Sequence, residues 1–290
     1  MNKCYKYLLY LLLALPVSLS AQDDLLDVLN DEMDAQTTRV EAIFKGTRLI
    51  NGHSVETRDK NNLDFIISHR FGRLNGGAYQ FFGLDQSNVR LGFDYGLTDN
   101  INLGIGRSSF EKTFDGYFKY AFLHQKSGDK AFPFSATVLS SLAIKTLREP
   151  QFEEFSFSDK LVFTHQVLIA RKFSPALSMQ LMPTYIHFNT IYPDDENNDV
   201  MALGVGGRMK LNSRVSLNME YYYQMQQKNS DYRNVIAIGF DIETGGHVFQ
   251  LQLTNAQSMI EKGFLAETTG DFFNGDIHFG FNISRTFQLK

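Results

Sequence analysis

Asp64, Ser68 and His69 place an acid, a hydroxyl and an imidazole within one short stretch, the side chains from which a hydrolytic triad is assembled. Their spacing argues against that chemistry. In an extended chain Asp64 and Ser68 share one face and His69 points to the other, so the serine has no base beside it. Arg70, in phase with Asp64, is the expected partner of that carboxylate. No histidine lies two positions ahead of a serine, where the pair would share a face. The seven histidines are scattered along the chain without the paired spacing of metal ligands. Gly104-x-Gly106 and Gly204-x-Gly206 could suggest a phosphate cradle, but such a cradle needs a turn from strand to helix. Both pairs instead fall at period two inside strands, where the missing side chains make room in a narrow interior. The expectation is a protein without catalytic residues, cofactor or metal.

The informative polar residues are those on the inner phase of the strands. Arg70, Arg90, Lys119 and Arg208 stand against Asp64, Asp94, Asp115 and Glu220. A lining of one sign would select one class of ion. A balanced lining can pair across the interior, and charges are buried only when paired and hydrogen-bonded. These eight residues are the expected lumen lining, either of a narrow polar pore or of a filled, salt-bridged interior. Tyr117 and Tyr222 are the inward aromatics. The others, including Phe71, Tyr120, Phe122, Tyr185, Tyr192, Tyr221, Tyr223, Phe240, Phe249 and Phe287, lie on outward phases or near strand ends, as membrane-interface girdles do.

The elements that position them are strands. Ile277–Phe287 alternates for eleven residues, with Ile277, Phe279, Phe281, Ile283 and Phe287 on one face and His278, Gly280, Asn282, Ser284 and Thr286 on the other. The same pattern predicts strands over Leu63–Phe71, Asn88–Leu97, Ile101–Ser109, Thr113–Leu123, Phe132–Thr146, Lys160–Phe173, Ala176–Asn189, Val200–Leu211, Val215–Met225, Asn234–Ile242 and His247–Thr254, with Arg39–Ile50 as a further possibility. Short turns at Thr98–Asn100, Ser174–Pro175, Asn212–Ser213 and Thr244–Gly246 alternate with long polar connections at Leu147–Asp159, Thr190–Asp199, Gln226–Arg233 and Asn255–Asp276. Bacterial outer-membrane barrels keep short turns in the periplasm, long loops outside and an even strand number. Thirteen stretches therefore contain one error. Either Arg39–Ile50 lies inside or below a twelve-stranded barrel, or Gly76–Leu84 is a missed crossing and the total is fourteen. Twelve is the expectation. The fold class is all-β, a transmembrane up-and-down antiparallel barrel, with a short N-terminal helix.

The remaining organisation follows from composition. Lys3 and Lys6, the apolar run Tyr7–Val17 and the small residues before Gln22 predict a secretory signal over residues 1–21 and Sec-type export. The only cysteine, Cys4, lies within that leader. Residues 22–38 read as an acidic amphipathic helix or periplasmic tail, with Leu25, Leu26, Leu29 and Met33 at helical spacing. Residues 39–290 form the barrel. Removing Lys3 and Lys6 takes the net charge from −4 to −6, the opposite of a nucleic-acid binder. The acidic, aromatic stretches Glu149–Phe157 and Tyr192–Asp199 are expected as outer loops. Expected partners are outer-membrane lipid, the barrel-assembly machinery through the C-terminal strand, and a small-molecule solute.

Three blocks are more specific than alternation. They are Phe44–Thr57 (FKGTRLINGHSVET), His69–Ser109 (HRFG through GLDQSNVRLGFDYGLTDN to GIGRSS) and Gly275–Phe287 (GDIHFGFNISRTF). With these the mature chain resembles an uncharacterised family of outer-membrane β-barrels, a domain of unknown function. The resemblance implies a barrel in the outer membrane and transfers no catalytic or binding residue. The leading expectation is a small pore or passive route. A structural or surface-interaction barrel with a filled lumen is the alternative, and a lipid- or peptide-modifying enzyme stands further back.

Overall fold

The computed structural model describes residues 36–148, 155–190, 195–244 and 247–289. The expected leader, the acidic helix, and Glu149, Phe152, Glu153, Glu154, Tyr192 and Asp194 of the acidic loops lie outside these residues. The chain divides into two compact units. In the smaller, Thr38–Arg39 pairs antiparallel with Lys126–Ser127, and Thr38 Oγ1 lies 2.9 Å from Ser127 Oγ.

The larger unit, Glu41–His124 with Phe134–Lys290, contains twelve long strands. They are β1 Asn62–Arg73, β2 Ser87–Thr98, β3 Ile101–Ser108, β4 Phe114–Leu123, β5 Ser135–Ile144 and β6 Leu161–Lys172, then β7 Leu177–Phe188, β8 Asp199–Lys210, β9 Val215–Gln226, β10 Val235–Thr244, β11 His247–Thr254 and β12 His278–Gln288. Each pairs antiparallel with its neighbours in sequence, and β12 pairs with β1 to close the ring. Closure has a physical cause. Hydrocarbon offers no water to a free strand edge, so every backbone donor must find a partner in the wall. Alternation decides the faces: along β7, exposed and buried residues alternate almost without lapse. The ladder between β6 and β7 steps from Gln166↔Thr184 to Ile169↔Leu181. Pro183, which has no N–H, lies in that gap.

The twelve predicted crossings coincide with the twelve strands, and the fourteen-strand alternative is overturned. Gly76–Leu84 does not cross the membrane. Leu74–Gly76 and Ala78–Gly83 form 3-10 turns, with Gly77 at φ 62° and Gly83 at φ 86°. Those left-handed glycines break the extended path. Arg39–Ile50 is not a barrel strand either. Beyond Arg39 the chain enters a tight hairpin, Thr47–Ser54, in which Arg48 pairs with His53, Leu49 N donates to Gly52 O at 2.9 Å and Ser54 N to Thr47 O at 3.0 Å. Ile43, Phe44, Leu49, Ile50 and Val55 are all buried.

The connection Asn255–Asp276, expected as an outer loop, folds inward. Its short helix α1, Glu261–Ala266, is buried at every position. Phe264 and Leu265 pack with Met182, Ile186, Phe188 and Tyr222 from the inner wall. The apolar residues Met259, Ile260, Phe264, Leu265 and Ala266 account for this, because they would otherwise remain in water.

Gly104 and Gly204 receive rings of the neighbouring strand rather than of the far wall, while Gly106 faces Arg90 and Gly206 faces Leu49 of the hairpin. Gly104 sits directly opposite Tyr117, and Gly204 opposite Tyr222. A Cβ on Gly104 would come within 2.0 Å of Tyr117 Cε1. Gly104→Ala is therefore expected to displace that ring and cost about 1–3 kcal/mol, as overpacking does. The folded band in unheated gel electrophoresis should be lost at lower temperature than in the parent. An unchanged transition would mean that the ring is free to move.

Candidate functional site

The site is the barrel interior, and the hairpin Thr47–Ser54 occupies it. Its tip carries three consecutive backbone donors that converge on one carboxylate. Glu220 of β9 accepts from Ile50 N at 2.8 Å, from Asn51 N at 2.9 Å and from Gly52 N at 3.2 Å. A two-residue reversal leaves such donors pointing outward, and an ionised carboxylate is their strongest acceptor. Gly52 fits because it has no side chain: a Cβ there would lie 1.9 Å from Tyr222 Oη.

The rest of the wall holds the hairpin in the same manner, by side chains bonded to its backbone. Gln250 Nε2 donates to Leu49 O at 2.9 Å, Asn282 Nδ2 to Ile50 O at 3.2 Å, Gln180 Nε2 to His53 O at 2.8 Å and Thr137 Oγ1 to Val55 O at 2.8 Å. Asn51 completes the tip, accepting from Arg70 Nη2 at 2.7 Å and donating to Thr254 Oγ1 at 3.3 Å. Strands β1, β2, β4, β5, β7, β9, β11 and β12 all contribute a clamp.

All eight expected lining residues are buried on the inner face. Five of them bind the stretch Thr47–Arg58. Besides Arg70 and Glu220, Asp94 accepts from Thr47 Oγ1 at 2.9 Å, Lys119 donates to the carbonyl of Glu56, and Asp64 pairs with Arg58. The expected Arg70–Asp64 pair is absent, because each side chain finds a closer partner in the hairpin or on its return. Asp64 Oδ1 also accepts from Thr286 Oγ1 at 2.6 Å. Arg90 and Asp115 pair with each other, Arg90 Nε donating at 2.9 Å. Arg208 Nε donates to Ser216 Oγ at 3.0 Å and its Nη2 lies 3.6 Å from Glu243, which in turn pairs with Lys45 at 2.6 Å.

From the other end α1 latches the hairpin. Glu261 Oε1 lies 2.9 Å from Arg48 Nη1 and 3.3 Å from His53 Nε2. Burial alone would raise the Glu261 carboxyl, but Arg48 and His53 beside it hold it well below the usual carboxylate range. His53 is fully enclosed and lies edge-on to Tyr117, ring centres 4.5 Å apart. Burial, reinforced by the Arg48 charge, pushes its imidazole down to about 3 against the opposing pull of Glu261. His53 is therefore neutral in place. The lumenal tyrosines fill space: Tyr117 lies beneath His53 and Arg48, and Tyr222 packs edge-on to Phe264 with ring centres 5.4 Å apart. Sequence reasoning singled out none of Arg48, His53 and Glu261. For Arg48 and His53 the signal was the block FKGTRLINGHSVET, charged and glycine-bearing yet set in apolar residues.

A family model described as a membrane-bound β-barrel domain, DUF5777, matches residues 44–287. That span begins at the hairpin segment and ends in β12. No curated protein matches the chain. Among solved structures, the NanC porin aligns with TM-score 0.49 and 9% identity, over 78% of this chain and 100% of that one. The KdgM porin aligns with TM-score 0.45 and 9% identity, over 79% and 99%. An outer-membrane channel of Pseudomonas putida F1 aligns with TM-score 0.48 and 13% identity, over 80% and 97%. The likeness extends to the barrel and to nothing finer.

Proposed function

Because the chain belongs to the membrane-bound β-barrel domain family DUF5777, we propose that it is an outer-membrane channel held shut by its own hairpin, Thr47–Ser54. One observation carries the reading. The wall closes on itself through β1 and β12 without help from the hairpin, and most of the clamps are side chain to backbone hydrogen bonds. Water can replace such bonds one for one when the segment withdraws, so withdrawal costs little per bond compared with breaking the wall. The hairpin is thus the removable part of a complete cylinder.

A permanently filled barrel is the second reading, favoured by the buried Ile43, Phe44, Leu49 and Val55 around the same segment. The pair N51C and T254C separates the two. Asn51 and Thr254 already touch, and the only natural cysteine is Cys4. In planar bilayers the parent should show brief openings at raised voltage. The oxidised pair should abolish them, and a reductant should restore them. Openings that persist through the cross-link would place the conducting path elsewhere, and a parent that never opens would leave the filled barrel as the better reading.

A further inference from the structure

The end of the barrel that carries the long connections holds a cavity of about 610 Å³, within the range of small-molecule sites. It lies against α1, with Ser258 and Glu267 from either side of the helix on its lining. Apart from Arg73 and Asp231, its charged groups belong to one connected set. Glu111 joins Lys145 and Lys262, each at 3.0 Å; Lys262 joins Glu267 at 2.6 Å; Glu267 joins Lys228 at 3.4 Å; and Lys228 joins Asp195 at 2.8 Å. Lys262 stands behind the lining, whose charges among the described residues are Arg73, Lys145 and Lys228 against Glu111, Asp195, Asp231 and Glu267. Lys228 and Lys262 are almost wholly enclosed. Burial would lower the Lys262 ammonium, but Glu267 and Glu111 hold it well above its ordinary value. The carboxyl of Glu111, which burial would raise, is kept low by Lys262 and Lys145.

Such a lining interleaves both signs and offers no field of one sign to an ion. A carboxylate solute would meet Glu111 and Glu267 as well as the lysines, and a cation would meet the reverse. A solute whose hydroxyls both donate and accept can bond to both signs at once without disturbing the pairs. Phe110 and Tyr232 add ring surface beside the polar groups, suited to the C–H faces of such a molecule. We infer that this cavity receives an uncharged, polyhydroxylated solute of the size of a short oligosaccharide. The site deepens the channel reading, on which its role as an entry site rests, and α1 ties the two together. Its Lys262 pairs with Glu111 and Glu267 of the cavity lining, and Glu261 latches the hairpin.

The test is calorimetric titration of the detergent-solubilised full chain with maltotriose, a trigalacturonate and a triglucosamine. Maltotriose should bind saturably, and both charged trisaccharides about tenfold or more weakly, the equivalent of roughly 1.4 kcal/mol. E267Q leaves the lysines in excess and should shift preference toward the trigalacturonate. K145M, at the cavity rim, should shift it toward the triglucosamine, and it remains informative where E267Q fails to fold. Absence of saturable maltotriose binding, equal affinity for all three sugars, or variants that leave the ranking unchanged would each overturn the assignment. Saturable binding in a barrel that never conducts would retain the site and remove the channel.

Discussion

Glu220→Ala should open the barrel without unfolding it. Three backbone donors of the hairpin tip end on that carboxylate, and no other acceptor among the described residues reaches them. A buried donor left without its partner costs about 1–3 kcal/mol, although three donors that share one acceptor are less than additive. Losing the set should cost the closed state about 3–5 kcal/mol. A shift from 1:99 to 99:1 takes about 5.5 kcal/mol, so a change of this size raises a rare open population by about a hundredfold or more. The wall keeps its own ladder, so the heat-resistant gel band should survive while open time in planar bilayers rises. Glu220→Gln, which keeps one acceptor oxygen, should fall between. A silent, stable Glu220→Ala barrel would mean that the tip is not the gate.

Protonation of His53 should weaken the hold on the same hairpin. His53 titrates near its ordinary value of 6.5 when the hairpin is out, and at about 3 when it is in. The inserted state therefore binds fewer protons between those values, and its stability falls as pH drops through that window. Between pH 7.5 and 5 the contribution of His53 alone is a loss of about 2 kcal/mol, since each unit below 6.5 is worth about 1.4 kcal/mol. Glu261 has the opposite linkage, its carboxyl being held low in the closed state. The stability it adds is present above 4.5 and is lost only on further acidification, so it does not offset His53 within the window. Single-channel recording of the parent and of His53→Gln at the two pH values measures it as the difference between their pH responses, and identical responses would assign the sensor to another group.

The wall was legible because it obeys one rule many times over. Alternation in β2, β7 and β12 states which residues face lipid, and strand parity shows that thirteen stretches contain one error, with Arg39–Ile50 outside a ring of twelve as the favoured of two solutions. What the hairpin does inside was not legible. Its grip runs through backbone atoms, which every residue has, so Glu220 reads as a lining charge like any other. The Arg70–Asp64 expectation failed for the same reason: alternation names the face a side chain occupies, not the segment that will lie against it. Arg58, six residues before Asp64 in the chain, was a closer partner than the in-phase Arg70. α1 was hidden by the polar length of its connection, although Phe264-Leu265-Ala266 within it is too apolar for a solvated loop.

The hairpin precedes β1, yet it is gripped by Gln250 and Asn282 from the last two strands. Its clamps are therefore complete only once β11 and β12 have joined the wall. Contacts between the two ends of a chain form late, after the largest loss of loop entropy. The first stretch of the barrel unit is thus the last to be fully held, and the axis is filled from the start of the chain by a grip that comes from its end.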